Sequence, residues 1–476
     1  MKNRILRILP IIIILSLIVN VISGLSIESD NSLKNIIILH INDTHGHLTP
    51  YDDDKSKDIG GMTRVATLIK EMKKENPDST LILHAGDELS RGDAPTVCFG
   101  GEVNMQVIDS IGFDAFTPGN GDFYFSVSNL LKQITFMKVP VLLSNVVYKN
   151  NEERLFPSYI IMEVNGVKIA ILGFGVIRED HPSGRILKLR DPIQSTKEIL
   201  PEIMGKSDII IALSHIGLGA DILLAEKCPE IDIIVGGHSH NQLNEPMFVP
   251  KKDGKGNVII VQAGEYTKYL GQLDIGLKKS DSGKYKIVKA DGKLIPIDNK
   301  IKEDNIALDI IKKYDDKLSE VLCELDDDIP YKKNSNNPIG IFTAEAVRLN
   351  TGSDIALIDL GSVERGIRKG KVTLKEACMI HPWHNQILIY ELTGKQIQEV
   401  LSEKDSYIAG CTYVKSDGIA DNIKINGLAL DKSKTYIVAF DEFLSTYTKS
   451  LQGLQFEETG KTINNIIIDY LMNHTK

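Results

Sequence analysis

The feature that most constrains this chain is a series of short apolar runs, several of which end in a side chain able to hold a metal ion. Ile36-Ile37-Ile38-Leu39 leads to Asp43 and His45, and Leu81-Ile82-Leu83 leads to Asp87. Ile209-Ile210-Ile211-Ala212 leads to His215, and Ile233-Ile234-Val235 leads to His238 and His240. Val141-Leu142-Leu143, Ile169-Ala170-Ile171-Leu172 and Val258-Ile259-Ile260-Val261 complete the series. Such runs suit strands buried on both faces. The helical patterns between them, Arg64 to Lys74 and Ser195 to Met204 among them, predict an α/β layered domain. Ligands of open α/β sheets gather where strands run out into loops. In an extended segment Asp43 and His45 point to one side, and His238 and His240 repeat that spacing. Glycines 86, 119, 236 and 237 permit tight backbone paths into such a site.

Carboxylate, carboxamide and imidazole donors together favour Zn²⁺, Mn²⁺ or Fe²⁺ over Ca²⁺ or a thiolate site. Two such ions roughly 3.5–4 Å apart share a carboxylate and a water, which they acidify and aim. A net charge of -9 argues against a surface that tracks a nucleic-acid polymer. Small anionic substrates stay compatible with it, because bound metal supplies positive charge locally. With 476 residues, 42% of them hydrophobic, the chain can bury a large core in two or three domains. The five cysteines, Cys98, Cys228, Cys323, Cys378 and Cys411, are scattered and form no Cys-x-x-Cys pair. Zinc-ribbon and thioredoxin readings therefore have no support, and buried small hydrophobes are expected.

The N-terminus has the pattern of an export signal. Lys2, Arg4 and Arg7 precede the apolar stretch Ile5 to Ile22, and Ser23, Gly24 and Ser26 follow it. Residues 1–26 are expected to be a signal peptide or an uncleaved anchor, which would be the chain's only membrane contact. Residues 34–300 are expected to form the first domain, 301–335 a linker helix and loop, and 336–476 a second α/β unit. The linker expectation rests on the Lys-, Asp- and Gly-rich texture of Lys278 to Asp304 and the helical pattern from Ile306 to Glu324.

The ordered set Asn42-Asp43-Thr44-His45-Gly46, Ala85-Gly86-Asp87, Gly119-Asn120 and Gly236-Gly237-His238-Ser239-His240 resembles the metallophosphoesterase half of the secreted 5′-nucleotidase family. That family includes UDP-sugar hydrolases and 2′,3′-cyclic phosphodiesterases. Ala356-Leu357-Ile358, His381-Pro382-Trp383-His384-Asn385 and Glu391-Leu392-Thr393-Gly394-Lys395 resemble its C-terminal specificity domain. The resemblance implies a four-layer metallophosphoesterase sandwich followed by a smaller α/β domain. It implies that Asp43, His45, Asp87 and His240 hold one divalent ion. Asp87, Asn120, His215 and His238 would hold the other, with Asp87 shared. It implies phosphate-ester hydrolysis by a metal-bridging hydroxide, and base recognition by Trp383 and Asn385. His47, His84 and His181 have no role in that pattern.

The chain also departs from the family. Gly121 stands where the family carries a histidine, and Tyr124 where it carries the aspartate that orients it. That pair is worth roughly 10²–10⁴ in rate. Asn120 and Tyr124 are the candidate catalytic residues that remain, with Tyr124 as a substitute hydrogen-bond donor. Glu364 replaces an arginine of the family's glycine-rich turn, with Arg365 and Arg368 as neighbours able to compensate. Tyr447-Thr448-Lys449-Ser450-Leu451 replaces a Gly-Gly-Asp-Gly-aromatic loop. The expected function is an exported dinuclear-metal hydrolase of nucleotides or related small phosphates. A thiosulfohydrolase-like enzyme and a non-catalytic metal-containing surface protein are the alternatives.

Overall fold

Alternation along the strand Lys34–Ile41 shows how the layers form. Ile36 and Ile38 join a core with Leu81, Leu83, Ile169, Ile171, Ile209, Ile211 and Ile233. Leu39 and Ile41 face the other way, into a core with Val65, Ile69, Val107 and Ile108. Ala170, Leu172, Ile210, Ala212 and Ile234, the even-numbered partners in the second sheet, pack on Ile199, Ile203 and Leu224. Period-two alternation thus gives each strand one face toward the opposite sheet and one toward helices. The computed structural model describes residues 33–474 apart from 253, 255 and 281. In it these faces build a four-layer α/β/β/α sandwich.

The first sheet runs in the order Tyr285–Pro296, Tyr269–Lys279, Lys34–Ile41, Thr80–His84, Ala115–Phe116. Its last three strands are parallel, and Tyr269–Lys279 pairs antiparallel with Lys34–Ile41. The second sheet orders Met247–Pro250, Asn257–Val261, Ile233–Val235, Ile209–Ser214, Val167–Phe174, Tyr159–Val164. Its four central strands are parallel. Helices Met62–Glu75 and Glu102–Ile111 cover the first sheet, and Pro192–Ile203 and Leu218–Lys227 cover the second.

Two segments differ from the expectation. The Lys- and Asp-rich stretch after Lys278 is mostly strand: Tyr285–Pro296 closes a long hairpin at the edge of the first sheet. The helix that follows, Asn305–Leu318, ends earlier than its pattern suggests and gives way to the strand Val321–Leu325. Asp304 caps it by accepting from Ala307 N at 3.0 Å. Ala307, Ile311 and Tyr314 of this helix join the core over the first sheet.

The C-terminal unit centres on a mixed sheet ordered Ser406–Ala409, Ile355–Asp359, Thr435–Asp441, Gln386–Thr393, Glu457–Thr462, with a hydrophobic cluster on each face. It touches the sandwich directly. His384 Nε2 bonds the Val97 carbonyl, the Arg185 guanidinium donates to Ser445 Oγ and the Glu442 carbonyl, and the Cys98 thiol lies against Cys378. All five cysteines are unbridged. Residues 1–26 lie outside the described residues, among which no helix is long and apolar enough to cross a membrane.

Candidate metal centre

The loops that leave the strands stay zipped together past the strand ends. Ala85 N donates to the Ile41 carbonyl at 2.8 Å, Asp43 N to the Gly86 carbonyl at 2.9 Å and His45 N to the Asp87 carbonyl at 2.8 Å. Turning this sharply puts Asp43, His45, Asp87, His238 and His240 at φ values of 50°, 48°, 56°, 73° and 56°. Non-glycine residues seldom occupy that left-handed region. Such strain costs of order 1–3 kcal/mol per residue and persists only where the surroundings enforce it.

Asp43 belongs to two tight donor clusters, one with His45 and His240 and one with Asp87 and His215. His240 Nε2 lies 3.2 Å from Asp43, and His215 Nε2 lies 3.3 Å from Asp87 and 3.7 Å from Asp43. His45 Nε2 lies 3.8 Å from Asp87 and 3.9 Å from Asp43. Asp43 and Asp87 are therefore both central, where the family pattern gives the shared place to Asp87 alone.

Each of these imidazoles spends its other nitrogen on the protein. His215 Nδ1 sits 2.5 Å from the Ala85 carbonyl, His240 Nδ1 2.5 Å from Glu265, and His45 Nδ1 2.8 Å from Ser90 Oγ. A carbonyl only accepts, so His215 carries a proton on Nδ1 and turns Nε2 toward the carboxylates. Outer partners of this kind orient imidazoles for a metal. The Nε2 atoms of His45 and His240 face each other at 3.1 Å. Asn120 Oδ1 is buried without a hydrogen-bond partner, and His215 Nε2 faces the Asp87 and Asp43 carboxylates at 3.3 and 3.7 Å. Buried polar atoms are almost always paired, and a cation is one partner that an orphaned carboxamide oxygen accepts. Electrostatics agree. Burial depresses His215, yet the Asp87 and Asp43 carboxylates outweigh it and hold the imidazole at about 10. Burial would raise Asp87, but His215 and His45 outweigh that and keep it below the usual carboxylate range. The centre favours positive charge between its two carboxylates. The residues present fit divalent ions.

Asn120 is oriented by Tyr124. Its Nδ2 donates to the Tyr124 hydroxyl at 2.9 Å, which leaves Oδ1 as the free acceptor. Tyr124 receives a hydrogen bond from Asn120, which leaves its own O–H able to donate elsewhere. His238 is placed differently from the other imidazoles. Its backbone N–H donates to Asp43 at 2.9 Å and its ring packs against His215 at 5.4 Å, outside both tight clusters.

Several supporting residues escaped the sequence reading. The Asp122 carboxylate accepts from the backbone N–H groups of Asp87, Glu88, Leu89 and Gly119 at 2.7–2.9 Å. Buried Glu88 accepts from the Thr44 hydroxyl, from Asn104 Nδ2 at 2.7 Å and from His84 Nε2 at 3.1 Å. His84 is thereby structural, and His47 stacks on Tyr51 with ring centroids 4.1 Å apart. A charged residue beside a candidate ligand in an apolar segment, as Glu88 beside Asp87, was the available signal. At Gly121 a Cβ would fall 2.4 Å from Ser90 Oγ and 3.0 Å from Asp87 Oδ1, so Ser90 fills the space a larger side chain would need.

Beside Tyr124 lies a cavity of about 190 Å³ between the two units. Trp383 and Asn385 line it, as do Arg91, Arg178 and the buried His181. Glu364, Arg365 and Arg368 do not. A larger cavity of about 770 Å³ lies where Ile209 and Asn257 begin their strands, at the end opposite the donors.

Comparison with known proteins agrees with this architecture. Residues 36–242 match the calcineurin-like phosphoesterase family, and residues 321–454 match the 5′-nucleotidase C-terminal domain. A 5′-nucleotidase of Vibrio cholerae is 26% identical over 510 residues, covering 93% of this chain and 91% of that protein. A putative 5′-nucleotidase structure from Staphylococcus aureus superposes with a TM-score of 0.65 at 18% identity, over 93% of this chain and 97% of that one. The sulfate thiohydrolase SoxB of Thermus thermophilus does so with a TM-score of 0.55 at 17% identity, over 92% and 94%. Both structures share the fold.

Proposed function

We propose that this chain, which belongs to the calcineurin-like phosphoesterase family and carries its 5′-nucleotidase C-terminal domain, is an exported hydrolase of small phosphate esters. In this reading two divalent ions (Zn²⁺, Mn²⁺ or Fe²⁺) are held by Asp43, His45, Asp87, Asn120, His215, His238 and His240. The observation that carries it is the gathering of the His45, His215 and His240 imidazoles around the two buried carboxylates Asp43 and Asp87. Ions bound there supply the Lewis acidity that activates water and neutralises phosphoryl charge. Export rests on the pattern of residues 1–26.

The chain's own residues set what that centre does. Ser90, Glu265 and the Ala85 carbonyl hold three imidazoles in one orientation, and Tyr124 does the same for Asn120. Preorganisation of this sort keeps the cost of ordering out of the reaction step. With glycine at 121 and Ser90 packed against it, position 121 supplies no imidazole to protonate the departing oxygen. That loss, roughly 10²–10⁴ in rate, falls on alkyl esters, whose leaving groups need a proton, more than on aryl esters.

Chelator treatment followed by reconstitution with Mn²⁺ or Zn²⁺ tests the reading. Hydrolysis of p-nitrophenyl phosphate should disappear and return, with alkyl phosphates turned over more slowly. No turnover of any phosphate monoester, nucleotide or UDP-sugar by metal-loaded protein would sink it.

A further inference from the structure

Resting on that reading, the cavity beside Tyr124, which holds Asn120, points to the substrate class. Its one tryptophan already has a partner, because the Arg91 guanidinium lies over the Trp383 ring at 5.2 Å from the centroid. That is ordinary cation–π range. Asn385 is spent as well, its Nδ2 donating to buried Asp441 at 2.8 Å. Asp359, the acid on the same wall, accepts from the Tyr447 hydroxyl and from Gly361 N at 2.8 Å. Groups that would greet a nucleoside are thus engaged with each other. The space left, about 190 Å³, is below the roughly 300–1,000 Å³ typical of pockets for drug-sized ligands.

Arg91 has the opposite character. Among the described residues it forms no ion pair, whereas Arg178, the other arginine of the cavity, is held by Asp180 at 2.7 and 3.0 Å. Its backbone sits at φ 65°, in the left-handed region. It directly follows Ser90, which bonds His45 and fills the space beside Gly121. The Arg91 guanidinium is exposed, lines this cavity with Tyr124 and lies over Trp383, and its fork of N–H donors suits a phosphoryl oxygen. We propose that Arg91 is the substrate-anion residue and Trp383 its platform, so that the enzyme selects compact phosphate esters over nucleotides.

Trp383 is the sole tryptophan of the chain, so its emission reports on this cavity alone. Titration of the full-length protein with inorganic phosphate should change that emission saturably, and adenosine should not. Arg91→Met should weaken the phosphate response and kcat/KM for glycerol 3-phosphate by about 10- to 100-fold. Arg91→Lys should recover part of both, and wild type should favour glycerol 3-phosphate over 5′-AMP. Saturable quenching by adenosine, preference for 5′-AMP, or an Arg91→Met variant within threefold of wild type would each overturn the proposal. If no ester is hydrolysed, the phosphoesterase reading fails by itself. The titration then still decides the residue: a phosphate response lost in Arg91→Met sustains it, and none in wild type overturns it.

Discussion

The two walls of the cleft use their polar groups in opposite ways. On the sandwich side, His215, His240 and His45 have one ring nitrogen tied to the protein and the other facing the Asp43 and Asp87 carboxylates. On the C-terminal side, Asn385 is closed onto Asp441, Asp359 onto Tyr447, and Trp383 lies under Arg91. The contrast teaches that unpartnered buried atoms mark where a ligand belongs, while polar residues that satisfy one another mark a surface turned away from that task. One wall is built for a cation. On the other, the polar groups lining the cavity are engaged with one another.

Substitutions can break this contrast, and the largest effect falls on the shared carboxylates. Asp87→Asn or Asp43→Asn should lower phosphatase kcat/KM by roughly 10³-fold or more, the scale of losing an electrostatic stabiliser outright. Both should also strip bound metal, which elemental analysis would show. Next comes Glu88→Gln, which sets an amide against three donors in a buried pocket. It should cost about 3 kcal/mol in urea unfolding of the metal-free protein. Stability unchanged within error would mean that Glu88 does not brace the donor loops.

Removing an outer partner should act more gently. Glu265→Ala should weaken metal affinity by about 10- to 100-fold while the fold stays intact. Metal titration followed by activity measures this directly. Tyr124→Phe removes only the hydroxyl that receives Asn120 Nδ2 and should reduce kcat by about tenfold, the value of one net hydrogen bond. The smallest change belongs to the opposite wall. Asn385→Ala should leave kcat for p-nitrophenyl phosphate within about twofold, since its amide is already bound to Asp441. A drop as large as that of Glu265→Ala would erase the difference between the walls.

A related test concerns the missing imidazole. Gly121→His by itself should lose activity and stability, because Ser90 Oγ and Cβ lie 2.4 and 2.8 Å from the new Cβ. Adding Ser90→Gly removes the Ser90 contacts but leaves Asp87 Oδ1 3.0 Å from the new Cβ and deprives His45 of its partner, so the double variant should regain stability more than activity.

Much of the sandwich could be read from the chain because its information is local. Runs such as Ile36 to Leu39 and Ile209 to Ala212 carry a period-two division between the inter-sheet core and the helical layers. Their ends put Asp43, Asp87, His215 and His240 where loops converge. The hairpin strand Tyr285–Pro296 was illegible because it is a largely exposed edge, with Lys286, Lys289, Asp291 and Lys293 masking its alternation. Ser90, Glu265 and Arg91 were hidden for another reason. Each matters through a partner distant in sequence (His45, His240 and Trp383), and nothing in the local pattern reveals such pairs. The pairing of Tyr124 with Asn120 Nδ2 needs the fold, which alone shows which atom of Asn120 faces the hydroxyl.

The central claim is most directly tested by counting ions. Protein equilibrated with Mn²⁺ or Zn²⁺ and then desalted should retain two divalent ions per chain by plasma mass spectrometry, and Asp43→Asn should lose them together with phosphatase activity. Wild-type protein that holds no ion, or an Asp43→Asn variant that holds as many as wild type, would contradict the account.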